Sequence, residues 1–92
     1  MLIFILIFTL INPLLVLSQQ PQPFEADTFQ TTAGTLTITF IGHGTLMLTW
    51  GDQLIHVDPV GREADYSQLP QADLVLVTHE HGDHLDPNVL QL

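Results

Sequence analysis

Asp73 to Pro87 reads DLVLVTHEHGDHLDP, and this stretch decides the fold. It opens with an unbroken apolar run, Leu74-Val75-Leu76-Val77. A continuous run of that kind fits a strand covered on both faces, whereas a half-buried strand alternates. A polar cluster follows at once, His79-Glu80-His81-Gly82-Asp83-His84. Asp86 then offers an N-cap and Pro87 suits the first helical position. The order is therefore buried strand, polar loop, helix start.

The loop carries the chemistry. Four of its six residues, His79, His81, Asp83 and His84, are metal-ligand types. Imidazole and carboxylate together suit zinc, and also manganese or iron. His79 and His81 stand two apart, so in an extended segment they project to one side and can grip one ion. Gly82 lets the backbone bend, which turns Asp83 and His84 toward a second position. One short loop can thus serve two neighbouring ions. Zincin chemistry is not indicated, because Asp83 stands where the second His of that motif belongs. Two plainer readings remain: a solvated polar turn, and a His-rich chelating tract without catalysis. Glu80 points away from its neighbours by alternation and reads as solvated.

Upstream, Thr35 to Ile41 (TLTITFI) alternates, with Leu36, Ile38 and Phe40 on one face. The Gly42-His43-Gly44 segment breaks it. Thr45 to Trp50 alternates again, Gly51-Asp52 is a hairpin signal, and Gln53 to Asp58 returns until Pro59 stops it. Three strands joined by tight turns predict an antiparallel meander. Trp50 reads as core, and His56 as a buried structural histidine. Val60 to Gln71 has no period and reads as a loop, with Arg62, Glu63 and Asp65 solvated. Asp73 caps the start of the apolar strand. Residues 19–34, with Pro21 and Pro23, read as a linker.

Met1 to Leu17 (MLIFILIFTLINPLLVL) is apolar, with Val16 and Ser18 at the −3 and −1 positions of a cleavage site. Residues 1–18 read as a signal peptide, which predicts export to a periplasmic or extracellular space. The alternative is a membrane anchor formed by residues 1–17. Composition narrows the rest. The 92 residues carry 1 Lys+Arg against 10 Asp+Glu, a formal net charge of −9, and no cysteine. Disulfide scaffolds and Cys-based zinc modules are excluded. A chain with one basic residue has almost nothing to neutralise phosphates, so nucleic acid is not an expected partner. A membrane enters only through an uncleaved N-terminal segment.

The motif His79-x-His81-x-Asp83-His84, preceded by an apolar strand ending in Thr78, resembles the signature of the metallo-β-lactamase fold superfamily. Ile38 to Val60 (ITFIGHGTLMLTWGDQLIHVDPV) resembles its opening strands, which end in an Asp-Pro matched by Asp58-Pro59. Gly42-His43-Gly44-Thr45 and Leu85-Asp86 look most like the ascorbate-phosphate-lactonase-like branch of metal-dependent hydrolases. The resemblance covers roughly residues 35–92. It implies an α/β fold, the N-terminal half of an αββα sandwich, with a meander followed by the buried strand and the metal loop. It also implies that His79 and His81 ligate one zinc and Asp83 and His84 a second. Asp83 would orient the attacking water as the catalytic residue. Asp58 would sit beneath the loop and hold it by hydrogen bonds, and His43 would lie near the pocket behind the ligands.

Family members attack an ester, lactone, amide or phosphoester with metal-made hydroxide. A small-molecule substrate is the expected partner of the completed domain. The family pattern needs a further His, a bridging Asp and a last His beyond position 92. The helix that starts at Asp86 and the doubly covered strand likewise predict part of a larger domain, inactive alone. The alternatives are a non-enzymatic metal-binding exported peptide and a non-functional truncated remnant.

Overall fold

The computed structural model describes residues 24–92. The signal-peptide reading of 1–18 and the first part of the linker, 19–23, lie outside the described residues. One five-stranded sheet runs in sequence order through β1 (Glu25–Thr31), β2 (Gly34–Gly42), β3 (Thr45–Trp50), β4 (Gln53–Val57) and β5 (Leu74–Leu76). β1 to β4 pair antiparallel, and β4 and β5 pair parallel, so the sheet is mixed. This open mixed sheet, led by a meander, is typical of part of the metallo-β-lactamase-like architecture.

Local chemistry explains the turns. Gly51 adopts φ +57° at the first loop position between β3 and β4, the left-handed conformation that a Gly-first hairpin loop requires. A parallel pair cannot be joined by a hairpin and needs a crossover. The segment between β4 and β5 provides it, with a 3-10 turn at Tyr66–Gln68 capped by Asp65, whose carboxylate accepts from the Ser67 amide at 3.0 Å. Asp73 closes the crossover. Its carboxylate accepts from the Leu54 amide and its own amide donates to the Leu54 carbonyl, both at 2.7 Å. Helix α1 (Pro87–Leu90) starts as its sequence predicts, with Asp86 accepting from the Asn88 amide at 3.0 Å and from Gly61 of the crossover at 2.9 Å.

The sequence expectations are corrected in two places. Residues 25–31, read as linker, form β1. Every residue of β1 is exposed, so hydrophobic periodicity carries no signal there. Its ladder to β2 and polar pairs hold it: Thr35 Oγ1 donates to Gln30 at 3.0 Å, and Trp50 Nε1 donates to Thr31 Oγ1 at 3.0 Å. Trp50, read as core, is accordingly exposed beside β1.

The second correction concerns faces. Cross-strand partners share a face, and the register puts Phe40, Leu46, Val57 and Leu76 in one row and Thr39, Met47, His56 and Val75 in another. The crossover covers the second face, where Thr39 and His56 are buried. The first face is the more apolar, yet Phe40, Leu74 and Leu76 are 45–47% exposed. The apolar run of β5 therefore does not form a doubly covered strand among the described residues. The best-buried region lies at the end of the sheet around Thr45, Asp58 and Val60, directly under the His-rich loop.

Candidate metal centre

Asp58 is the foundation of the site. It follows β4 with φ +46°, a left-handed backbone that Asp tolerates better than most residues. Its relative exposure is 1%, and each of its polar groups is used. The amide donates to the Leu76 carbonyl at 2.8 Å, and the carbonyl accepts from Thr45 Oγ1 at 2.7 Å. Carboxylate Oδ1 accepts from the Thr78 amide at 2.6 Å; Oδ2 accepts from Thr78 Oγ1 at 2.6 Å and lies 2.7 Å from His84 Nδ1. The carboxylate thus clamps the chain where β5 runs into the loop. Burial alone pushes Asp58 upward. The Thr78 hydroxyl and amide, with His84, outweigh it and hold the carboxyl below its ordinary value.

Proton accounting then fixes the imidazoles. An ionised carboxylate only accepts, so His84 Nδ1 carries a proton, and the tautomer that leaves a lone pair on Nε2 is the one this contact selects when the ring is neutral. Thr78 Oγ1 spends its single proton on Asp58, so it accepts from His79 Nδ1 at 2.9 Å. The same contact selects the tautomer of neutral His79 with its lone pair on Nε2. One buried carboxylate sets two tautomers, one directly and one through Thr78, in the manner of the hydrogen-bonded partners behind metal-ligating histidines.

The loop closes tightly on itself. The amides of His84 and Leu85 both donate to the His81 carbonyl, at 2.9 and 2.8 Å. The rings lie close together, edge-on with centroids 4.7 Å apart for His79–His81 and tilted by 41° with centroids 3.9 Å apart for His79–His84. Two groups result whose ligand atoms all lie within 4.8 Å of one another: His79, His81 and Asp83, and His43, Asp83 and His84. Neutral imidazole nitrogens and a carboxylate at such separations fit a divalent cation of the zinc class.

The turn between β2 and β3 brings His43 in. A bulge between Phe40 and Gly42 shifts the register there, a device that re-aims side chains beside sites. His43 Nε2 lies 2.9 Å from Asp83 Oδ2, and His84 Nε2 lies 3.6 Å from the same oxygen. Desolvation raises Asp83, but the His43 contact, a backbone hydrogen bond and the neighbouring imidazoles turn its net shift downward. Asp83 is therefore an anion at neutral pH.

The sequence-predicted residues His79, His81, Asp83, His84, Asp58 and His43 all meet at this end of the sheet. Glu80 is exposed and joins neither group. His56 is buried elsewhere and donates from Nε2 to the Pro70 carbonyl at 2.9 Å, as a structural histidine does. Sequence reasoning missed Thr78 and Thr45 as partners of Asp58. Thr78 closes the apolar strand just before the first histidine, and that position was the available signal. Gly44 was also missed: a Cβ there would lie 2.7 Å from His84 Cε1, so only glycine admits the imidazole.

Comparison with known proteins agrees with this arrangement. A beta-lactamase superfamily domain model matches residues 37–92. Two metal-dependent hydrolases from different strains of Thermus thermophilus are each 39% identical over 56 residues, covering 56% of this chain and 25% of their own length. A solved structure from Parabacteroides distasonis, assigned as a metal-dependent hydrolase, superimposes with a TM-score of 0.71 at 58% identity. That match covers 74% of this chain and 31% of the other. The chain thus spans about a quarter of the length of the curated relatives it matches. With the family model spanning most of the described residues, and the clustered His and Asp side chains inside it, this chain belongs to the beta-lactamase superfamily.

Proposed function

We propose that the chain forms the metal-holding part of an exported hydrolase acting on an ester, lactone or phosphoester, with zinc as its metal. The observation that carries this reading is the pair of ligand groups sharing Asp83. His79 and His81 hold one cation, and Asp83 and His84 hold the second. Asp58 and Thr78 keep the Nε2 lone pairs of His84 and His79 free toward them. A bound divalent cation supplies Lewis acidity and lowers the pKa of water. Asp83, ionised and shared by both groups, orients that water by accepting its hydrogen bond.

The exposed apolar face around Phe40, Leu74 and Leu76 packs against further chain in the complete domain, which also brings the remaining ligands and the substrate-binding loops. The relatives' greater length supports this. By themselves the 92 residues bind metal and turn over no substrate.

The test joins this chain to the remaining length of the Parabacteroides distasonis relative. Zinc content is then measured together with hydrolysis of phosphodiester and lactone substrates. The joined protein hydrolyses at least one class, and His81→Ala loses both zinc and turnover. Full zinc occupancy in His81→Ala overturns the ligand assignment.

A further inference from the structure

We propose that the outer edge of β1 is a self-association surface. Two copies of this chain pair their β1 strands antiparallel, about a two-fold axis at Thr28, and join their sheets into one. The inference is independent of the metal-centre reading, because β1 and β5 are opposite edges of the sheet and the His-rich loop follows β5.

The free edge carries it first. Among the described residues β1 pairs with β2 alone, and all seven of its residues are exposed. The ladder fixes which of its backbone groups face outward. The Thr35 carbonyl accepts from the Gly51 amide at 3.4 Å, on the β3 side of β2. In an antiparallel strand the N–H and C=O of one residue point the same way, so Thr35 turns both away from β1. Gln30, its partner in β1, therefore belongs to a non-hydrogen-bonded pair. By alternation so do Thr28 with Thr37 and Ala26 with Thr39. The Thr28 and Thr37 hydroxyls, 3.3 Å apart, show the close side-chain approach of such a pair. Ala26, Thr28 and Gln30 thus present their N–H and C=O groups along the open edge.

Self-complementarity carries it second. With Thr28 opposite Thr28 of the second copy, Ala26 falls opposite Gln30 and every one of these outward groups finds a partner. Moving the axis to Asp27 or to Phe29 sets Gln30 or Ala26 opposite a residue outside β1, and at Asp27 it also sets two carboxylates face to face. In the Thr28 register Glu25 lies opposite Thr31 and Asp27 opposite Phe29, so no carboxylate directly faces another. Phe29, 50% exposed, lies diagonal to Phe29 of the second copy, within reach of aromatic side chains. β1 contains no proline, no lysine and no bulge, the usual guards of an edge against pairing.

The test uses the full chain. A single strand pair is a small interface, so sedimentation equilibrium is carried to about 1 mM chain, where a mass approaching that of two chains is expected. Thr28→Pro removes an outward N–H at the centre of the new ladder and none from the β1–β2 ladder, so the sheet is kept. It weakens association by about tenfold or more. The chain contains no cysteine, so single cysteines report the register, and they decide the matter where Thr28→Pro unfolds the sheet. Thr28→Cys sets two thiols on residues whose Cα atoms stand about 5.5 Å apart, a bridgeable span, and a disulfide-linked dimer is expected under mild oxidation. Gln30→Cys sets them four residues apart along the strand, roughly 14 Å, and no linked dimer is expected. A single-chain mass throughout, or equal cross-linking of Thr28→Cys and Gln30→Cys, overturns the proposal. Association unchanged in a folded Thr28→Pro also overturns it and moves the contact to the apolar face around Phe40 and Leu76.

Discussion

His84 Nδ1 donates to the buried Asp58 carboxylate across 2.7 Å, and this one contact decides which edge of the imidazole faces the loop. Asp58→Asn tests it with little steric change, because Asn also tolerates the left-handed backbone at φ +46°. The amide keeps an acceptor for the Thr78 N–H but turns its NH2 toward His84. His84 must then accept at Nδ1 and carry its proton on Nε2. The expected outcome is an inverted His84 tautomer by nitrogen-15 NMR. Zinc affinity falls by about 10–100-fold, as is usual when a ligand's hydrogen-bonded partner is lost. An unchanged tautomer would return Asp58 to a purely structural role at the strand end.

Thr78 relays the same carboxylate to His79. Thr78→Val keeps the shape and keeps the amide bond to Asp58 Oδ1 at 2.6 Å, while deleting the hydroxyl that His79 Nδ1 meets at 2.9 Å. His79 loses its tautomer preference and His84 does not. Zinc bound through His79 and His81 should therefore weaken by about 10–100-fold. Stability should fall by about 1.5–3 kcal/mol, because the lost hydroxyl donates to the buried, ionised Asp58 carboxylate. Calorimetric zinc titration reads the first effect, and urea unfolding reads the second. Equal weakening at both tautomers would mean that Thr78 acts by positioning the whole loop.

The meander was legible because its physics is local. β3 runs from Thr45 to Trp50, the limits its alternation sets, and Gly51-Asp52 marks its turn. The ligand-type residues were legible for the same reason, since one six-residue loop carries four of them, whereas the sharing of Asp83 between two groups, one of them with His43, was not. β1 was not legible, because a wholly exposed strand held by backbone pairing and polar partners has no hydrophobic period. The clamp of Asp58 on Thr78 and His84 was only half legible. Asp58-Pro59 marks a strand end, but the parallel pairing of β4 with β5, which brings Thr78 beside Asp58, is a long-range choice. His43 stood out as a turn residue. Its contact with Asp83 depends on a bulge and a left-handed φ that no periodicity announces.

Tyr66, on the 3-10 turn of the crossover, gives a prediction independent of metal. Burial, with the nearby Glu63 charge adding to it, pushes its phenol up to about 12. Its folded pKa lies above the unfolded value, near 10, so the folded state keeps a proton that the unfolded state has lost. Its contribution to stability is complete below pH of about 10 and falls as pH rises toward about 12. Tyr66 is the only tyrosine in the chain, so phenolate absorbance reports it alone. The expected midpoint is about 12, and Tyr66→Phe should remove that part of the alkaline loss. A midpoint at the ordinary value would place the phenol in solvent.

Gly44→Ala tests whether the turn between β2 and β3 is shaped for the site. Gly44 is not among the residues with positive φ, so alanine meets no backbone penalty and its effect is purely steric. The added Cβ would lie 2.7 Å from His84 Cε1 and 3.0 Å from His84 Nδ1. Something must yield, and Asp58 is fixed by Thr78, so the His84 ring is what moves. The cost of such overpacking is about 1–3 kcal/mol. Displacement breaks the 2.7 Å bond to Asp58 and separates His84 from Asp83 and His43. The second cation should be lost while the cation at His79 and His81 stays. Gly82→Ala, in the His-rich loop, is the matched control, since a Cβ there meets nothing within 4 Å. Its effect on stability should stay within about 0.5 kcal/mol, as for ordinary surface changes. If Gly44→Ala keeps the wild-type His84 tautomer and the full metal content, the close approach of Gly44 to His84 does not set the ring's position.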